Sequence, residues 1–127
     1  MSASRAAAFD AITLQLLAAL EEYEVATEAM IAAWPDMERY AAASGLVEKI
    51  RMFCASLPEA RVQWAELLIA HAELVHHLWR AQYGPKAPLQ DQIAPLLAQH
   101  ARALQALRRR CALSSAPATG GCGRAGS

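Results

Sequence analysis

The chain has 127 residues, 55% of them hydrophobic and 6% aromatic, with a formal net charge of zero. That length suits one domain with a workable core and argues against two. No segment approaches the roughly 18 consecutive apolar residues of a membrane span, so no membrane partner is expected. Ala and Leu dominate the apolar fraction and β-branched residues are scarce. That balance favours helices over strands and points to an all-α fold.

The first helix should begin near Ala3 and run to about Ala33. Phe9, Thr13, Leu16, Leu20, Tyr23, Thr27, Met30 and Trp34 recur in steps of four and three, the signature of a seam facing a partner helix. Glu21, Glu24 and Glu28 lie on the other side as a solvated carboxylate stripe. The apolar run Ala11 to Leu20 opens on Asp10 and closes on Glu21 and Glu22 without a small-residue cleavage site, so it is not read as a signal peptide. Pro35 breaks or kinks this helix, because proline lacks the backbone donor and clashes with the preceding turn.

A second helix starts near Asp36 and runs to about Ala55, unless Ser44-Gly45 interrupts it. Val47, Ile50, Cys54 and Leu57 form its apolar stripe. Ser56-Leu57-Pro58-Glu59 reads as a helix start, with Ser56 as cap and Glu59 at the reciprocal capping-box position. The third helix then extends to about Gln82. It is apolar over about two thirds of its circumference, a width that suits a central helix or one covered by a second subunit. Residues 84–88, GPKAP, form a turn. A fourth helix spans roughly Leu89 to Leu113, with a seam of Ile93, Leu97, His100, Leu104, Leu107 and Cys111. The tail, residues 114–127, has no apolar periodicity and reads as disordered. A helical domain over residues 1–113 with short connections implies a three- or four-helix antiparallel up-down bundle.

Residues 71–77, HAELVHH, raise the question of a site. Successive helical residues rotate by about 100°, so His71 and His76 diverge by about 140° and the three histidines cannot share one ion. Glu73 and His76 have the Glu-x-x-His spacing of ferritin-like di-metal bundles, but only one copy exists and the fourth helix offers no Glu. Glu73 and His77, four residues apart, form an ordinary surface pair.

His71 differs from its neighbours. Trp64, Leu68, His71, Val75 and Leu78 place it in the middle of a buried stripe. His100 occupies the same kind of position between Leu97 and Leu104. Each lies about fourteen residues from the intervening turn, so an antiparallel hairpin brings them to one height. The bland expectation is a hydrogen-bonded core pair, or one His bonded to Thr13, Tyr23 or Thr27. The sharper one is a ligand pair for a metal, haem or small molecule. A pH-responsive core is the remaining option.

Charge is segregated along the chain. Eight acids stand against Arg5 and Arg39 up to Glu48, whereas beyond Asp91 there are only arginines, including Arg102, Arg108, Arg109 and Arg110. An acidic first helix packed beside a basic last one explains this within one chain, and an antiparallel homodimer explains it between copies. A basic patch for nucleic acid is the third reading, although the helix dipole favours cations at a helix C-terminus anyway. Residues 41–49, AAASGLVEK, resemble the turn of a helix-turn-helix only loosely, since Arg51 falls where an apolar residue is usual. Residues 121–126, GCGRAG, match a dinucleotide glycine pattern but follow no strand. Cys54, Cys111 and Cys122 are an odd set without metal-type spacing, as a reducing cytoplasm allows. No nucleophile-and-base arrangement is legible, which points away from an enzyme.

The leading expectation is therefore a small cytoplasmic, non-enzymatic helical module with no cofactor, self-associating or binding another helical protein through wide apolar faces. The alternatives are a metal-, haem- or small-ligand-binding bundle built on His71 and His100, and a nucleic-acid adaptor using the basic fourth helix.

Overall fold

The computed structural model describes residues 2–83 and 89–115. Four helices make up the all-α bundle: α1 Ser2–Ala32, α2 Met37–Cys54, α3 Arg61–Tyr83 and α4 Leu89–Ser115. The turn at 84–88 and the chain from residue 116 onward lie outside the described residues, and with them Cys122 and most of the expected tail. No helix among the described residues is long and apolar enough to cross a membrane.

Helix α1 stops where Pro35 approaches, and the two helices flanking that proline are separate rather than one kinked rod. Asp36 restarts the chain. Its Oδ1 accepts the backbone N–H groups of Glu38 at 2.9 Å and Arg39 at 3.2 Å, two donors the first turn cannot satisfy internally. Helix α2 then passes through Ser44-Gly45 without interruption. Gly45 is exposed and has nothing within 4 Å of where a Cβ would sit, so it marks neither a turn nor a close contact.

The start of α3 departs from the capping-box expectation. A 3₁₀ turn, Pro58–Ala60, leads into it, and the cap position belongs to Leu57, with no side-chain cap bond. Two forces explain the shift. The residue before a proline is held extended, and Leu57 has φ −128 and ψ 80. Leu57 is also 1% exposed, so its side chain anchors the connection in the core. Ser56 then lies one residue too early to serve as cap, and Glu59 loses its reciprocal place.

The core consists of two apolar clusters that fix the topology. One joins Leu16 and Leu20 of α1 to Ile50 and Cys54 of α2, Leu67 of α3 and Leu107 and Cys111 of α4. The other joins Met30, Ala43, Leu74, Leu78 and Ile93. Residue numbers rise along α1 and α3 as they fall along α2 and α4, so each neighbouring pair runs antiparallel. The closest packing is α1 on α2 and α3 on α4, with α1 and α4 joining the two hairpins; of the four neighbouring pairs, α2 and α3 touch least.

The α1 seam from Thr13 to Met30 is buried as its spacing predicts. The stripe of α3 is not the one expected. Its buried residues are Leu67, Ala70, Leu74 and Leu78, while Leu68 is 40% exposed. Leu97 likewise faces outward at the edge of the α4 seam. Glu24 is no free member of a solvated stripe: its Oε1 accepts from Arg108 Nη2 at 2.6 Å, tying α1 to α4. This bond is a direct link between the acidic first helix and the basic last one.

Candidate functional site

Between the two apolar clusters lies a polar layer. Tyr23 projects from α1 and is fully buried. Its phenolic oxygen is 2.7 Å from His71 Nδ1 on α3 and 2.7 Å from His100 Nε2 on α4. Three helices thus meet at one oxygen. The rings lie close as well, with centroids 5.7 Å apart for Tyr23 and His71 and 5.4 Å for Tyr23 and His100, both tilted.

A phenol has one proton to donate, so the two hydrogen bonds must differ in direction. One imidazole accepts the phenolic O–H, and the other donates its ring N–H to the phenolic oxygen. The accepting imidazole must be neutral, and burial disfavours charge on the donating one as well. Burial supplies that condition by pushing His71 down to about 4, with His100 adding to the effect. Burial lowers His100 too, although Glu24 opposes it. Burial raises the Tyr23 phenol; the Thr27 hydroxyl, one turn along α1, offsets part of this without making a hydrogen bond of good geometry. A layer so disposed can hold helices in register. It is a weak general base near neutral pH, where catalysis favours a group titrating close to 7.

His71 and His100 therefore converge, but on a tyrosine rather than on each other. Tyr23 was legible as a seam residue and as one possible partner for a histidine; its reach to both was not. The two nitrogens that face inward are already bonded to the phenol, and a metal between them would have to displace a proton that burial holds firmly. Among the described residues no three His, Cys, Asp or Glu side chains are grouped to hold a metal ion.

The remaining candidates scatter. Glu73 and His76 are exposed on the outer side of α3, away from the interior that a di-metal motif must face. Glu73 and His77 form no ion pair: Glu73 stays in solvent while His77 is half-buried, with Nε2 buried and unbonded. The four arginines do not make one patch. Arg108 is turned to Glu24, Arg110 is half-buried, and Arg102 and Arg109 remain exposed. Cys54 and Cys111 are free and buried, and burial pushes their thiols up to about 12 and about 11. Neither is poised as a nucleophile.

A separate aromatic group packs beside the cluster of Met30, Leu74 and Leu78. Trp34, Tyr40 and Trp79 meet edge-on, with centroids 4.9 Å apart for the two tryptophans and 6.1 and 6.0 Å from Tyr40 to each. Such edge contacts suit the aromatic quadrupole and pin the α1–α2 corner against α3. Trp64 is partly buried against the other cluster. Compared with protein-family models, curated proteins and solved structures, the chain finds no match.

Proposed function

We propose that this protein is a non-enzymatic helical interaction module that pairs with a second copy of itself through the outer side of α3. The observation that carries this reading is that α3 has two apolar stripes and the chain covers one. Leu67, Ala70, Leu74 and Leu78 are buried. Val62, Ala65, Ile69 and Ala72 repeat at the same three-and-four spacing on the opposite side, with Val62 63% and Ile69 56% exposed. A helix that is apolar on both sides is normally covered on both. The alternating alanines allow a partner helix to approach closely, within the usual 8–10 Å between axes.

Charge supports a second copy as that partner. Glu66 and Glu73 are exposed seven residues apart on α3, and Arg102 and Arg109 are exposed seven apart on α4. None of the four belongs to an ion pair among the described residues. Hairpins packed α3 against α4 in a two-fold dimer would match the acids of one copy to the arginines of the other. Such rim pairs add little affinity but fix orientation.

Sedimentation equilibrium tests the reading. The wild-type chain should be a dimer, and Ile69→Lys should be a monomer with unchanged helicity, since the site is exposed in the single chain. A wild-type chain that stays monomeric at millimolar concentration, or an Ile69→Lys variant that dimerises as well as wild type, refutes it.

A further inference from the structure

The chain has four histidines, and the interior accounts for three of them. His71 and His100 belong to the polar layer, and His77 is half-buried. His76 is exposed, and its Glu-x-x-His spacing with Glu73 makes no metal site among the described residues.

What His76 does join is the outer stripe of α3. Val62, Ala65, Ile69, Ala72 and His76 follow one another in steps of three, four, three and four, and all five are exposed. At about 100° per residue, that spacing sets His76 on the middle line of the stripe rather than at its edge. Trp79, three residues further on, is turned to Trp34 and Tyr40, so the stripe ends at His76. A surface otherwise made of Val, Ile and Ala therefore ends on the side-chain type whose charge ordinarily changes near neutral pH. The charged groups one turn away on α3 are Glu73 before it and Arg80 after it. Both are exposed, and neither belongs to an ion pair among the described residues.

We infer that His76 makes self-association through α3 pH-dependent: the neutral imidazole packs into the paired stripe, and its protonation drives the two copies apart. The inference rests on the pairing proposed above. Covering the stripe takes the ring out of water, which disfavours its charged form. Pairing also turns Glu73 toward Arg102 or Arg109 of the second copy, so the anion that would favour a charged His76 is engaged elsewhere. Arg80 remains one turn away as a like charge. Both effects act against the proton. The paired state then binds fewer protons than the separate chains, and acidification through the histidine range favours the separate chains.

Sedimentation equilibrium of the full chain at about pH 7.5 and about pH 6, at one ionic strength, reads the effect. The dimer dissociation constant of the wild type should rise roughly three- to tenfold at the lower pH, because each dimer carries two copies of the histidine. His76→Gln keeps a polar side chain on the exposed side of α3 and should lose that response. Any loosening of the interior layer at the lower pH is common to wild type and variant, so the difference between them isolates His76. His76→Leu continues the apolar stripe and should dimerise at least as tightly as wild type, again without a pH response. A wild-type dimer equally tight at both pH values overturns the inference and leaves the pairing through α3 standing. A His76→Gln variant that keeps the full wild-type response does the same. A wild-type chain that is monomeric at the higher pH removes the pairing and the inference together.

Discussion

At the scale of single residues, Tyr23 is the side chain on which most depends. Its hydroxyl is the only partner shown for the inward nitrogens of both His71 and His100. Tyr23→Phe keeps the ring and removes both bonds at once, leaving two buried imidazole nitrogens unpaired. A buried polar group stripped of its partner costs about 1–3 kcal/mol, so the variant should lose about 2–4 kcal/mol in urea unfolding. A loss under about 1 kcal/mol would mean that water replaces the hydroxyl and that the layer is wetter than its burial implies. The two histidines could be placed inward from spacing alone, because each sits in an apolar stripe at the same distance from a turn. The phenol bridging them could not. Whether a tyrosine reaches one neighbour or two depends on how far apart the helix axes lie, which periodicity does not contain.

At the scale of elements, α3 shows where periodicity is ambiguous. A helix with one apolar side has one readable stripe. Helix α3 has apolar residues over most of its circumference, so Trp64-Leu68-His71-Val75-Leu78 and Leu67-Ala70-Leu74-Leu78 are both legal seams. The packed one uses Ala70, a residue whose small apolar area carries little weight in a pattern, but whose size lets α3 approach its neighbours. Adjacent leucines therefore make a sharp comparison. Leu67 is 2% exposed and Leu68 40% exposed. Leu67→Ala should cost about 2–5 kcal/mol through the lost burial and the cavity left behind, and Leu68→Ala under about 1 kcal/mol. Urea midpoints of the two variants measure the difference, and equal losses would place α3 about its axis differently. The α1 seam is legible because Phe9 to Trp34 recur in unbroken steps of four and three, even though Leu14 and Val25 are exposed on its other side. The Ser56 cap was misjudged for a different reason: Pro58 fixes the residue before it, and that local restriction outweighs the capping pattern.

Across the whole molecule, the polar layer divides the apolar interior into two clusters, so its protonation bears on the packing of all four helices. Proton linkage gives the direction. His71 titrates at about 4 in the folded chain, whereas an unfolded histidine titrates near 6.5. Between those values the unfolded state holds more protons than the folded one, and acidification favours unfolding. The contribution is fully present above about pH 6.5 and is lost progressively as the pH falls toward 4. The groups facing His71 do not reverse the sign: Tyr23 stays protonated, and His100 adds a like charge if it titrates first. Glu24 acts on His100 in the other direction, which narrows that histidine's share without removing it. The urea midpoint should therefore be flat above about pH 7 and fall steadily from about pH 6.5 to 4.5. His71→Gln should flatten part of that slope, since an amide can still meet the phenol but cannot take up the proton. An unchanged slope in His71→Gln would show that the acid sensitivity arises outside the layer. A wild-type midpoint that does not move between pH 7 and 5 would show that the imidazoles bind protons equally well folded and unfolded, and so that burial does not hold them neutral.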